Sequence, residues 1–173
     1  MERVLVRALR LSHDDASLTR ALPVVLWQNR LQLDLDALMH ETFQANETQA
    51  LGFLLELTDI LAGEEFFGPA LDVLRDKRYR RELFYFRADE DSPLSKELAR
   101  ARTPDVARRW KFLMNMPFDS FQSMFRKATV LNGDVQFNPA RAIPEGPRSG
   151  TRKPGTAHRD RRRRSGVAVR RKA

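Results

Sequence analysis

The chain has 173 residues, 42% hydrophobic and 31% charged, with no cysteine. That length can bury a core unaided, and the composition excludes disulfides, cysteine-ligated zinc, iron–sulfur clusters and thiol catalysis. The net charge of +8 is unevenly placed: from Arg141 onward 12 Lys and Arg face two acids, Glu145 and Asp160, a net of +10 that leaves −2 for residues 1–140.

Residues 2–11 place Val4, Leu5, Ala8 and Leu9 on one face of a first helix. Asp14 is expected to cap a second helix through Leu22, with Pro23 as a kink or as the start of a new turn holding Val24, Val25, Leu26 and Trp27. Asp34 caps a third helix, whose stripe Leu35, Leu38, Met39, Thr42 and Phe43 repeats at amphipathic spacing. Residues 48–62 form a fourth and central helix with Leu51, Leu54, Leu55, Thr58 and Leu61 inward. Gly63 stands at its C-terminal cap, and Gly52 within it marks a close helix–helix contact. Pro69 opens a fifth helix over GPALDVLRDKR. The following YRRELFYF extends it or forms a short strand at residues 83–86; helix is the preferred reading. RADEDSP reads as a polar loop. Ser92-Pro93 and Thr103-Pro104 start two further helices, the second bearing Val106, Ala107, Trp110, Leu113 and Met114. After Pro117, Asp119 caps a last helix with Phe118, Phe121, Met124, Phe125 and Ala128, and Asn132-Gly133 ends the body as a hairpin turn or a helix cap. The expected fold is all-α: one multi-helix domain over residues 1–138 and an Arg-rich tail over 139–173 that is disordered in isolation, since it has no aromatic residue and no apolar period to offset its ordering entropy.

No apolar run approaches the roughly 18 residues of a membrane span. Charges interrupt the short apolar stretch of the N-terminus, so neither a membrane partner nor a secretory signal is expected, and the compartment is taken as the cytoplasm.

Catalytic and metal patterns are weak. His40-Glu41 lacks a second histidine four residues on, where Gln44 stands, and reads as a helix surface pair. His13-Asp14-Asp15 reads as a cap beside an exposed histidine. Three histidines and no cysteine make a nitrogen-rich metal site or a histidine triad a poor fit. Glu56 and Asp59 share a helix face, where acids usually meet solvent and only seldom do acid–base work. No phosphate loop, nucleophile elbow or dinucleotide fingerprint is present. No catalytic residue, metal or cofactor is assigned, and the chain is read as a non-enzyme. Phe66, Phe67, Phe84, Phe86, Phe112, Phe118, Phe121 and Phe125, with Trp27 and Trp110, are expected mainly in the core, some of them left over for a partner-binding patch.

Two basic segments remain. Lys77, Arg78, Arg80 and Arg81 flank Tyr79; they form a solvated helix face or a secondary phosphate contact. In the tail, Arg152, Lys153, Arg159, Arg161, Arg162, Arg163, Arg164, Arg170, Arg171 and Lys172 have almost no acidic neighbours. Guanidinium forks match phosphate geometry, and a flexible basic chain releases counterions when laid along a nucleic-acid backbone. Without aromatics it does not stack on bases, so the binding is non-specific. The alternative is a tail that only aids solubility.

The stretch LDLDALMHETFQANETQALGFLLELTDILAG, residues 33–63, resembles the helical C-terminal region of antitoxins of the abortive-infection, type IV toxin–antitoxin class. The likeness lies in a leucine-striped helix followed by a second helix reading Leu51-Gly52-Phe53-Leu54-Leu55-Glu56-Leu57. It implies an antitoxin-like protein whose helical body binds a protein partner such as a cognate toxin. That family carries an N-terminal winged helix-turn-helix, which residues 1–32 lack. The resemblance therefore implies the interaction part alone, with the basic tail as the source of nucleic-acid affinity.

Overall fold

The computed structural model describes residues 1–76 and 81–132, all within the first of two units, Met1–Ile143. The domain boundary expected near Asn138-Pro139, the tail and the Asn132-Gly133 alternative lie outside the described residues or at their edge.

The described residues are helical almost throughout, as expected. The order is α1 (Glu2–Ser12), α2 (Ala16–Asn29), α3 (Leu35–Gln44), α4 (Thr48–Ala62), α5 (Gly68–Arg75), β1 (Leu83–Phe84), a 3-10 turn (Arg87–Glu90), α6 (Pro93–Arg102), α7 (Asp105–Arg109), β2 (Phe112–Leu113) and α8 (Phe118–Asn132). α4 lies at the centre and packs against α2, α3, α5, α7 and α8. Leu51, Phe53, Leu54, Leu55 and Leu57 are all but inaccessible, so α4 is buried on most of its circumference, as a helix surrounded by helices must be.

Local chemistry sets the ends. Asp34 caps α3 by accepting from Ala37 N, and Ser92 caps α6 by accepting from Ser95 N. Gly63 closes α4 in the left-handed conformation with φ 71°. Asn46 does the same after α3 with φ 60°, and Asn46 N and Glu47 N return to the carbonyls of Phe43 and Thr42.

Several expectations are corrected. Asp15, not Asp14, caps α2, accepting from Ser17 N and Leu18 N at 2.7 and 3.1 Å; Asp14 instead pairs with Arg87 at 2.6 Å. α2 runs through Pro23 without a break. The helix interior loses a donor there, about 3 kcal/mol in an exposed helix, and the burial of Leu22, Val24, Leu26 and Trp27 offsets it. Val4 and Phe43 are exposed; α1 turns Leu5, Val6, Leu9 and Ser12 inward instead. The helix preferred up to residue 86 is absent: Leu83–Phe84 form a short strand and residues 85–86 a bend. β1 pairs in parallel with β2, with Leu83 N donating to Lys111 O at 2.9 Å and Tyr85 N to Leu113 O at 2.8 Å. The helix opened at Pro104 therefore stops at Arg109, and Leu113 and Met114 reach the core from an extended segment. Thr103 is no cap: its hydroxyl donates to Ala99 O and accepts from Met114 N, tying α6 to the end of β2. The expected loop RADEDSP contains the 3-10 turn, and Asp119 sits inside the first turn of α8 rather than before it.

The close contact anticipated at Gly52 is present, and its partner is Trp110. A Cβ at Gly52 would stand 2.2 Å from two Trp110 ring carbons. Gln49 donates to Trp110 O at 2.5 Å, and the Trp110 indole N–H donates to the Glu56 carboxylate. Residues 49, 52 and 56 share one face of α4, so a single helix face supplies the seat and both polar clamps.

Two expected outcomes test this core. Leu55→Ala should destabilise by about 2–5 kcal/mol, because the cavity lies where neighbours on all sides hold it open; an unchanged urea midpoint would contradict α4's central place. Gly52→Ala gains about 1 kcal/mol of helix propensity yet should be destabilising overall, since overpacking against a held indole costs about 1–3 kcal/mol. Equilibrium denaturation reads the sign, and a more stable variant would refute the close seat.

Candidate nucleic-acid interface

Of the basic residues singled out above, Arg81 is described, and it is exposed just before β1. Lys77, Arg78 and Arg80 lie outside the described residues, as do Arg152, Lys153, Arg159, Arg161, Arg162, Arg163, Arg164, Arg170, Arg171 and Lys172. The flanks of residues 77–80 are described. Arg75 reaches Asp72 at 3.0 Å and Glu56 at 3.8 Å, beside Arg109 on the same carboxylate at 2.9 Å. Leu83 is held to Lys111. Both flanks thus adjoin the segment that runs from α7 into β2.

Sequence reasoning passed over the cations of that segment because they are scattered among apolar residues. The structure gathers them. An Arg108 guanidinium N–H donates to Arg100 O, and Arg102 donates to Asn115 Oδ1 at 3.3 Å. Arg100, Arg102, Arg108 and Arg109 are all exposed.

The acidic and histidine candidates are occupied internally. Glu56 binds Trp110, Arg109 and Arg75 and is thereby a packing group. Asp59 accepts from Phe66 N and Phe67 N and fastens the α4–α5 turn; burial pushes its carboxyl up to about 6 against these bonds, which favour the ionised form. His40 is exposed on α3, as expected of a surface pair.

His13 is not exposed, which corrects the expectation. It lies between the ends of α1, α4 and β1, with Nδ1 2.7 Å from Tyr85 O and Nε2 3.0 Å from Glu47 Oε2. A carbonyl and a carboxylate only accept, so both ring nitrogens must donate and the ring is the imidazolium. Burial opposes the cation, but the bonds to Glu47 and Tyr85 outweigh it, and the pKa is raised above 6.5. Tyr85, wholly buried, shares a 2.7 Å hydrogen bond with Ser12 Oγ, and burial drives its phenol upward as well. Among the described residues no three His, Asp or Glu side chains converge as metal ligands, and no helix is long and apolar enough to cross a membrane.

Comparison of the chain with protein-family models, curated proteins and solved structures finds no match.

The His13 bridge has a pH signature. Because its folded pKa is raised, its contribution is complete below about 6.5, the ordinary value, and is lost as pH rises through the folded pKa. His13→Gln should therefore lower Tm at pH 6, and the gap to the parent should narrow as pH rises to about 9. A gap constant over that range would show that His13 is not the charged partner of Glu47.

Proposed function

We propose that the chain is a non-catalytic, antitoxin-like interaction protein. Its helical body engages a protein partner, and its basic tail binds a nucleic-acid backbone without sequence preference. The observation that carries the second half is the charge layout, +10 after residue 140 against −2 before it. A segment so composed cannot bury itself, but it can neutralise phosphates and gain from counterion release. Arginine, which fills eight of the ten assigned tail positions, suits phosphate better than lysine because its fork binds two oxygens together.

Support for the first half is of two kinds. The likeness of residues 33–63 to the antitoxin region falls on α3 and α4, the latter being the helix around which the body is built. Leu31 and Phe43 are 81% and 60% exposed, so large apolar side chains remain outside the core beside α3. Apolar surface of this kind supplies affinity to a protein partner, while the acids of α3 orient it. A cognate toxin is the partner the resemblance favours, and the cytoplasm the compartment.

The test of the nucleic-acid half is a salt series. With about six to eight phosphates engaged, log Kobs against log salt should fall with a slope of about −5 to −7 on duplex DNA, and similarly on two unrelated sequences. Replacing Arg161, Arg162, Arg163 and Arg164 with Ala in the full chain should flatten that slope by up to about 4. Fluorescence anisotropy measures both. If the full chain binds no duplex at low salt, the tail serves solubility, and the helical interaction module is the better reading.

A further inference from the structure

We infer that the folded body carries a second nucleic-acid-binding face, built at the α6–α7 turn from Arg100, Arg102, Arg108 and Lys111 and bordered by Arg109 and Arg75. The inference rests on the proposed nucleic-acid function and extends it from the tail to the fold.

The argument begins with charge. Residues 96–111 hold six Lys and Arg against Glu97 and Asp105, a net of +4. Residues 1–140 as a whole carry −2, so the remainder of the body is −6, and this segment stands apart from it, as residues 75–87 do with their own +4. Folding then concentrates it. The Arg108 guanidinium lies on the carbonyl of Arg100, and Lys111 N returns to Arg108 O at 2.9 Å, which brings the last turns of α6 and α7 and the start of β2 to one place. Arg109 and Arg75 meet at Glu56 on the border of this surface.

A plainer account is that cations near helix C-termini stabilise the macrodipole, worth about 0.3–1 kcal/mol each. It explains why arginines end α6 and α7. It leaves one thing unexplained, the lack of ion pairing: none of the ion pairs among the described residues involves Arg100, Arg102, Arg108 or Lys111. Of the acids around it, Glu56 is engaged with Trp110, Arg109 and Arg75, and Asp89 with Asn115 N, while Glu97 and Asp105 offset two of the six cations and leave the net +4. Like charges gathered without a partner repel one another, and an external anion relieves that repulsion.

Several forked cations spread over an exposed turn suit a line of phosphates better than a single carboxylate. A duplex offers about one charge per 1.7 Å of its axis, so neighbouring guanidinium groups each find an oxygen pair without sequence-specific fit. The side chains contact backbone, and the face adds affinity and fixes orientation rather than reading bases. The tail would raise the local concentration of nucleic acid at this face, and the face would hold it in a defined pose.

The experiment uses the full chain and a fluorescein-labelled 20-base-pair DNA duplex, with an RNA duplex of the same length as a second probe. Arg100→Gln/Arg102→Gln/Lys111→Gln should flatten the anisotropy salt slope by about 2–3, at about 0.9 per lost contact, with Tm nearly unchanged. Arg100→Lys/Arg102→Lys/Lys111→Arg, which keeps the charge, should restore the slope. Arg100→Gln alone, the mildest change, should flatten it by about 1 and guards against misfolding of the triple variant. The four-arginine tail variant is measured alongside. A triple variant with the parent's slope overturns the face while leaving the tail intact. A flattened slope in the triple variant with no change in the tail variant upholds the face and removes the tail. Absence of binding by the parent chain to either duplex at low salt overturns both.

Discussion

The body is organised by one contact, the indole of Trp110 against the bare backbone of α4 at Gly52. The contact needs a residue without a side chain, because a Cβ would stand 2.2 Å from the ring. It also needs the indole N–H and the Trp110 carbonyl to be satisfied, and Glu56 and Gln49 do this from about one turn to either side of Gly52 on the same face. Because Trp110 ends α7 and precedes β2, fixing it fixes the register of the segment that pairs with β1. Burial of the indole supplies the driving force, while the two hydrogen bonds supply mainly direction, since each contributes only about 1 kcal/mol net.

A second constraint is polar and sits at the N-terminus of α4. The left-handed turn at Asn46 delivers Glu47 to His13, and His13 in turn holds the carbonyl of Tyr85. Three elements distant in sequence meet on one ring. Such a bridge is vulnerable, for removing one member leaves a charge with little water to solvate it. Asp59 adds a second dependence of the same sign: its carboxyl is raised to about 6, so the fold binds that proton more tightly than the open chain does. Stability associated with it is gained as pH falls through about 6 and lost as pH rises. Both groups make the body more robust on the mildly acidic side of neutrality.

The helices were legible because their signals are local. Asp34, Ser92 and Gly63 act as caps where expected, and the leucines of α4 repeat at helical spacing in a run long enough to read. What was not legible depends on partners far along the chain. Leu83 and Phe84 form a strand only because Phe112 and Leu113 lie beside them, and a two-residue pair has no period of its own. Pro23 looked like a boundary because its local cost is real, and it is overridden by burial that no short window contains. Phe43 continued the α3 stripe in sequence yet faces solvent, because a stripe five positions wide exceeds the contact α3 makes with its neighbours. His13 looked like an exposed neighbour of a cap; its partners are 34 and 72 residues away. The α6–α7 cations escaped notice for the same reason, being spaced apart in sequence and adjacent only after the turn forms.

Charge follows a related logic. Residues 31–74 contain nine acids and no Lys or Arg. Folding assigns most of these acids an internal task. Glu41 takes Arg3, Glu47 takes His13, Glu56 takes Arg109, and Asp34 and Asp59 accept backbone amides. The cations they recruit come from α1 and α7, so the acidic arc is neutralised from both flanks. What remains after this pairing is not a uniform surface of −2. It is a body in which many acids are held by structure, while Arg100, Arg102 and Arg108 stand together at one turn without an ion pair among the described residues. A count of charge along the chain therefore understates how cationic that turn is, and the physical reason is pairing: a carboxylate beside a cation projects little net field outward, whereas exposed guanidinium groups with no carboxylate partner project nearly all of theirs.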